Sequence, residues 1–161
     1  MSYVKTILKP GEKIIFVGNI HKIVYLKPLL LITGGLAAIN VALSMAGAPP
    51  GSQELIESAA LFLFGPVILM FGIISFASTV TYCLTTEIVV TEKRLIFKRG
   101  FISRNTMEMN IDKIESVIVD QSILGRMLNY GDVDVVGTGS SIEDLDTVAA
   151  PIALRRSIES A

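Results

Sequence analysis

The chain has 161 residues, a formal net charge of −1, one cysteine and one histidine. That length accommodates one small domain together with a small membrane module. A single cysteine excludes an internal disulfide, and the scarcity of His and Cys nearly excludes a zinc site within one chain. The sequence offers no set of a nucleophile, a general base and an orienting group that could act together. An enzyme is therefore the least favoured class.

The N-terminal segment, residues 1–27, has five basic residues and one acidic residue. The run from Lys13 to Gly18 favours a strand lying beside a later domain. His21, just ahead of the first apolar run, is interpreted as an ordinary interfacial residue or as a pH sensor.

Two apolar runs follow, because Glu54 and Glu57 are the only charged residues between Pro28 and Thr86. Each run is long enough for a helix that crosses a bilayer, whose hydrocarbon core requires about 20 residues. The sequence therefore predicts a transmembrane hairpin over residues 28–82.

The two spans are predicted at about 28–50 and 58–82, with a short polar turn between them. Gly65-Pro66 is expected to bend the second span, because proline removes a helical hydrogen bond. Basic residues flank both ends of the hairpin, whereas the turn has none. They are Lys9, Lys13, Lys22 and Lys27 before it and Lys93, Arg94, Lys98 and Arg99 after it. The positive-inside rule then predicts that both termini are cytoplasmic.

Small residues recur at every fourth position of the first span, at Gly34, Ala38, Ala42 and Ala46. Such a seam lets another helix approach closely. That helix is either the second span of the same hairpin or a helix of another copy of the chain. Asn40, near mid-bilayer, is interpreted as forming an interhelical hydrogen bond, with a transport path as the alternative.

From Glu87 onward the sequence consists of short alternating runs typical of strands. Strands are predicted near 88–91, 94–98, 106–110, 117–119, 132–136 and 145–149, a helical turn at 111–115, a short helix at 124–129 ended by Gly131, and a last helix opened by Pro151. This succession predicts a small antiparallel barrel or sandwich capped by a C-terminal helix.

Several motifs of the chain resemble those of bacterial pleckstrin-homology-like domains of the membrane-anchored class. They are TEKRLIFKRGFISR at 91–104, IDKIESV at 111–117, Leu124-Gly125-Arg126 with Tyr130-Gly131, Gly137-Thr138-Gly139, and the lead-in LKPGE at 8–12 with His21. The resemblance covers nearly the whole chain and implies a seven-stranded barrel closed by a C-terminal helix. Ser140-Ser141 and Ala150 depart from the family pattern, in which a glycine and an acidic or Asn helix cap are expected.

The expected organisation is a membrane α + β chain in three parts: a cytoplasmic segment 1–27, the hairpin 28–82 and a cytoplasmic PH-like domain 83–161. Positive charge is concentrated near the membrane. Lys93, Arg94, Lys98, Arg99 and Arg104 are candidate ligands of anionic lipid headgroups, each worth about 1 kcal/mol near the surface. The positive-inside rule explains the same pattern without a ligand.

The predicted domain is net acidic, with nine Lys/Arg and twelve Asp/Glu in residues 87–161. This balance argues against nucleic acid as a partner. Asp132 and Asp134 share one face of a predicted strand, which is interpreted as a solvated face, with a divalent-cation site as the alternative. No cofactor is expected.

The favoured function is a non-enzymatic scaffold or adaptor in the bacterial cytoplasmic membrane, which self-associates or binds another membrane protein. The alternative is a module that recognises anionic lipids. A pore-forming oligomer lined by Asn40 is less favoured. The expected partners are membrane lipids, further copies of the chain and another membrane protein.

Overall fold

The computed structural model describes residues 11–45, 49, 53–100, 105–138 and 141–161, without the side chains of residues 54, 55, 105 and 141–143. The chain divides into two compact units. Val24–Val80 forms a helical unit, whereas Met1–Ile23 and Thr81–Ala161 together form a strand-rich unit, called here the barrel unit.

The helical unit contains most of two long helices, α1 (Leu26–Met45) and α2 (Gln53–Thr85). A 3-10 turn at Lys22–Tyr25 precedes α1. Helix α2 begins before the predicted Ser58 and continues as one helix through Pro66. Two segments, Lys22–Met45 and Ile56–Thr85, are long and apolar enough to span a membrane.

The barrel unit consists of two antiparallel sheets. The first contains, in order, β1 (Ile14–Gly18), β2 (Glu87–Thr91), β3 (Arg94–Arg99) and β4 (Asn105–Asn110). The second contains β5 (Ile114–Asp120), β6 (Tyr130–Gly137) and β7 (Ser141–Ala149). A 3-10 turn at Ile111–Lys113 connects the two sheets, where the sequence predicts a helical turn.

The N-terminal segment contributes a strand, as the sequence favours. Phe16 pairs with Val90 and Val17 with Val89, which makes β1 the outer neighbour of β2. The chain then bridges to the second sheet, because Ile20 pairs with Val148 and the Ala149 N–H donates to the Asn19 carbonyl at 2.9 Å. Residues on both sides of the hairpin thus build one barrel.

Alternation along the strands produces the core between the sheets. Its fully buried members include Ile88, Val90, Val133, Val135 and Leu145. The C-terminal helix α4 (Pro151–Glu159) covers this core with Leu154 and Ile158, which are buried on one face while Arg155 and Glu159 remain exposed. This period of three to four residues is that of an amphipathic helix.

The predicted short helix is α3 (Ile123–Leu128), between β5 and β6. Asn129 ends it in the left-handed conformation with φ 58°, and Gly131 is already part of β6. The expectation that Gly131 ends the helix is therefore wrong. Asn is the non-glycine residue that adopts this conformation most readily at a helix end.

Ala150, the residue that departs from the family pattern, precedes α4 with φ 53° and no side-chain cap. The Ala150 carbonyl accepts the N–H of Ala153, a first-turn donor that a side-chain cap would otherwise take, at 3.0 Å. The Ala150 carbonyl accepts the Leu154 N–H at 3.1 Å, and the Ala150 N–H donates to the Asn129 carbonyl at 2.9 Å. Gly139 and Ser140 lie outside the described residues.

Candidate functional site

Two aromatic contacts occur in the barrel unit where the chain leaves and re-enters it. The ring of His21 stacks on that of Tyr130 with centroids 5.1 Å apart. The Arg99 guanidinium carbon lies 5.0 Å from the centre of the Tyr82 ring. These contacts attach Tyr130 and Arg99 to the two segments that continue into the helical unit.

Helix α3 presents an apolar surface to solvent. This α3 surface is defined by Ile123, Leu124, Met127 and Leu128, which are 81%, 62%, 77% and 48% exposed. The only charged residue of the helix is Arg126. Contiguous exposed apolar side chains on a folded protein mark a site of interaction with another molecule or a membrane.

The conformation of α3 is fixed by capping contacts. The Gly125 N–H donates to the Ser122 hydroxyl at 3.1 Å, and Asn129 closes the other end. The Gln121 side-chain amide donates to the Tyr130 carbonyl at 2.8 Å. A Cβ at Gly125 would lie 2.6 Å from that carbonyl oxygen, so only glycine fits this approach. The resemblance motif at 124–126 and 130–131 thus has a structural reason.

A groove of 530 Å³ lies beside α3, and the end of β5 and α4 also contribute to its lining. Its charged residues are Asp120, Arg126, Arg155, Arg156 and Glu159. Arg155 donates to Glu159 at 2.7 Å. Among the described residues, Arg126 and Arg156 form no ion pair. Two guanidinium groups therefore face a groove wide enough for a carboxylate- or phosphate-bearing group.

Of the five predicted headgroup ligands, the four that the structure describes do not form one cluster. Lys93 and Arg94 lie at the start of β3, and Lys98 and Arg99 lie at its end. At about 3.3 Å per residue, the two pairs are roughly 15–20 Å apart. Arg104 lies outside the described residues. Arg99 makes the Tyr82 contact, and Lys98 precedes it on β3.

Arg94 is a buried ion-pair residue rather than a surface cation. Its side chain is 9% exposed and that of Glu12 is 2% exposed, with Nη2 2.8 Å from Glu12 Oε2. Nη1 lies 2.5 Å from Glu108 Oε2, and the Thr91 hydroxyl donates to Glu12 Oε1 at 2.7 Å. The hydrogen bond to Glu12 raises the pKa of Arg94 above its ordinary value. Arg94 thus joins the N-terminal segment to β3, and the structure does not support its assignment to lipid headgroups.

The predicted small-residue seam is only partly in the hairpin contact. Ala42 is buried and Ala38 is half-buried, but Gly34 is exposed and a Cβ there would meet nothing within 4 Å. Ala46 lies outside the described residues. Asn40 is exposed and donates to the Leu36 carbonyl of its own helix at 2.9 Å. This intrahelical bond uses one of the two amide hydrogens of Asn40, and the predicted interhelical hydrogen bond stays a prediction.

Other glycines make the close approach between α1 and α2. A Cβ at Gly35 would lie 2.7 Å from the Leu69 backbone nitrogen, and one at Gly72 would lie 2.8 Å from that of Ile32. A Cβ at Gly65 would lie 2.9 Å from the Ile39 side chain. The sequence contains these glycines, but the every-fourth-residue pattern selects Gly34 instead of its neighbour.

The acidic face of β6 has a structural role in part. The Asp132 carboxylate accepts the N–H of Thr147, at 2.7 Å, where β7 has a positive φ of 53°. Asp134 lies opposite Asp144 on β7. Burial, followed by the charge of Asp144, raises the pKa of Asp134. Within the described part of the chain, no three His, Cys, Asp or Glu side chains are grouped so as to hold a metal ion.

Two antiparallel sheets closed by a C-terminal helix define a PH-like β-sandwich, which confirms this part of the predicted fold. Residues 30–160 match the bacterial PH domain family, and the chain belongs to that family. The matched residues begin inside α1, so β1 is outside them although it completes the first sheet. No curated protein and no solved structure matches the chain significantly.

Proposed function

We propose that this bacterial PH domain protein is a non-enzymatic scaffold or adaptor that its two-helix hairpin anchors in the cytoplasmic membrane. One observation carries the proposal, namely the exposure of large apolar side chains along both helices of the hairpin. Leu30, Leu43, Leu63, Phe64 and Phe71 are each more than half exposed.

Such surfaces would be costly in water, because each apolar side chain left exposed forgoes about 1.5–3 kcal/mol of burial. Lipid tails cover them without a further protein layer. The lysines before α1 and the arginines and lysines after α2 support a cytoplasmic position for both termini. The barrel unit would then stand at the inner face of the membrane.

Single-cysteine labelling tests both anchoring and orientation. In a Cys83→Ser background, Glu57→Cys reports the turn side of α2 and Ser160→Cys reports the C-terminus. We expect an impermeant maleimide to label residue 57 in intact spheroplasts and residue 160 only after lysis. Extraction of the unlabelled chain by alkaline carbonate, or labelling of residue 160 in intact spheroplasts, would contradict the proposal.

The adaptor role is supported by the groove beside α3. Its Arg126 and Arg156 guanidinium groups suit an acidic segment of another membrane protein or of a second copy of the chain. Cross-linking in native membranes followed by mass spectrometry identifies the partner. We expect Arg126→Glu with Arg156→Glu to abolish the cross-linked species, whereas Lys113→Glu, a matched charge reversal outside the groove, should leave it.

Recognition of anionic lipids is a second candidate, which Arg99, at the Tyr82 ring, and its neighbour in the sequence Lys98 support. We expect removal of both cations to weaken binding of the reconstituted chain to phosphatidylglycerol relative to phosphatidylcholine, since each contributes about 1 kcal/mol. Enrichment of phosphatidylglycerol around the labelled protein measures this preference. An unchanged preference would leave the positive-inside rule as the sole explanation of these cations.

A further inference from the structure

We propose that α3 is an interfacial anchor, whose apolar surface inserts into the headgroup region of the membrane that holds the hairpin. The inference rests on the proposed membrane anchoring and adds a second, peripheral contact. Its occupant is the lipid surface, and a second copy or another protein on α3 is a separate outcome of the test below.

The first argument is composition. The α3 surface consists of four exposed apolar side chains, and its helix has one cation and no acidic residue. Helical segments that lie in the membrane interface combine an apolar face with basic residues. Arg126 is the cation of this helix. A basic side chain next to apolar side chains that insert into the membrane favours an anionic lipid surface.

The second argument is the rigidity of the presentation. Ser122 caps the first turn, Asn129 ends the helix, and Gly125 packs against the Tyr130 carbonyl oxygen. None of these contacts covers the apolar side chains. The fold therefore uses capping and close backbone packing to hold an apolar helix outside its own core, where water alone would disfavour it.

The third argument is the tether between α3 and the start of the hairpin. Tyr130 follows α3 by two residues and stacks on His21, at 5.1 Å between ring centroids. The next residue, Lys22, begins the first segment that is long and apolar enough to span a membrane. The headgroup region is about 5–7 Å thick on each side of the hydrocarbon core. A helix attached to His21 in this way is held within reach of that layer.

The sequence offers a clean reporter, because the chain contains no tryptophan. Met127→Trp places the only tryptophan on the α3 surface, and Ile123→Trp repeats the measurement at a second exposed position. Lys93→Trp is the matched control, since Lys93 is exposed and precedes β3, about 20 Å along the strand from Arg99 and its Tyr82 contact. Phe71→Trp, in α2, reports anchoring independently.

The full chain is reconstituted in phosphatidylcholine–phosphatidylglycerol vesicles whose acyl chains carry bromine at a shallow or a deep position. We expect shallow bromine to quench the emission of the Met127→Trp and Ile123→Trp variants at least twofold more than that of Lys93→Trp. The emission of the two α3 variants should also be blue-shifted by about 10 nm or more. Deep bromine should quench the Phe71→Trp variant most. The far-ultraviolet circular dichroism of each variant, compared with that of the unmodified chain, verifies that it is folded.

Quenching in the Phe71→Trp variant without quenching in either α3 variant would overturn the insertion of α3 and leave the anchoring intact. Absence of quenching in Phe71→Trp would overturn the anchoring itself. A blue-shifted but unquenched emission of Met127→Trp would show that protein covers α3, which also overturns lipid insertion. In that case, loss of the blue shift on dilution of the protein in lipid would identify a second copy as the cover.

Discussion

Arg94 shows how a residue's neighbours decide its role. The sequence places it in a basic run, where it resembles Lys93 and Arg99. The structure pairs it with Glu12, on a segment more than eighty positions away along the chain, and with Glu108 on β4. No local pattern predicts this ion pair, because it depends on β2 returning to lie beside β1 after the two long helices.

Truncation of Arg94 should therefore destabilise the barrel unit. Arg94→Ala leaves the Glu12 carboxylate buried without its cation, and loss of one partner of a buried pair costs about 3 kcal/mol or more. We expect a lowered melting temperature of the detergent-solubilised chain. Arg99→Ala removes the same side chain at the exposed end of β3 and should cost about 0.5–1 kcal/mol, the range for an exposed cation–π contact such as that with Tyr82. Equal effects of the two variants would contradict the assignment of Arg94 as a structural residue.

Asp134 makes an opposite contribution, since it pairs with Asp144 across β6 and β7 and its pKa is raised by burial and by the charge of Asp144. A raised pKa means that the folded protein binds the proton more tightly than the unfolded chain does. The folded state is therefore favoured at low pH, and this advantage is lost as pH rises from the ordinary value of 3.8 through the raised pKa.

We expect Asp134→Asn to raise stability at neutral pH by roughly 0.2–1 kcal/mol, the range for like charges directly opposite each other. The gain should disappear below the ordinary aspartate pKa, where the wild-type carboxyl is protonated in both states. Melting curves from pH 3 to 8 measure it. Asp112→Asn, in a 3-10 turn, serves as the control, and a gain that stays constant with pH would count against the charge explanation.

At the scale of elements, helices and strands follow from the sequence better than their contacts do. Charge-free runs predict both long helices, and alternation predicts the strands of both sheets, because both patterns depend on which face is buried. The partner of each face is decided by tertiary packing. For this reason the pattern selects Gly34, whereas the helix contact uses Gly35, one position along.

The pair Gly34 and Gly35 provides a matched test of the hairpin. Gly35→Val forces a side chain into the Leu69 backbone, and overpacking of this kind costs about 1–3 kcal/mol. Gly34→Val enters open space within the described hairpin and should change its stability little. Thermal unfolding of the chain in detergent distinguishes them. A larger effect at Gly34 would indicate that another chain packs there.

Helix α3 illustrates a site that the sequence signals incompletely. The Leu124-Gly125-Arg126 motif indicates the family and a short helix. Which side chains the barrel buries depends on the Ser122 cap and the Gly125 approach to Tyr130. A six-residue helix that packs one face against the barrel needs few apolar residues. The sequence ILGRML contains more than that face requires, and this excess is the available indication of an apolar surface that faces outward.

At the scale of the whole molecule, the barrel is assembled from two separated stretches of chain. Strand β1 precedes the hairpin and β2 follows it, yet they are neighbours in the first sheet. The strand that the sequence favours ahead of the hairpin belongs to the same compact unit as the strands that follow it, since Met1–Ile23 and Thr81–Ala161 form one unit. Sequence periodicity carries no information on such long-range pairing.

The barrel unit should fold without the hairpin if both stretches are retained. We expect a chain in which a flexible Gly/Ser linker of about 15 residues replaces 24–80 to be soluble and to unfold cooperatively. The entropic cost of closing a flexible loop grows slowly with its length, by only about 0.6 kcal/mol for each doubling. Residues 81–161 alone lack β1 and the Glu12 partner of Arg94, and should fail to unfold cooperatively. Urea unfolding followed by circular dichroism compares them. Equal cooperativity of the two would show that β1 is dispensable.

The pairing of β1 with β2 also links membrane topology to folding. In an anchored chain, β1 is synthesised before the two helices, and it has no partner strand until β2 follows them. If the second helix failed to cross back, β1 and β2 would emerge in different compartments and the first sheet could not close. In the proposed topology, only a chain whose two helices both cross the membrane would complete its first sheet. A wrongly inserted chain would leave β1 and β2 unpaired and open to proteolysis.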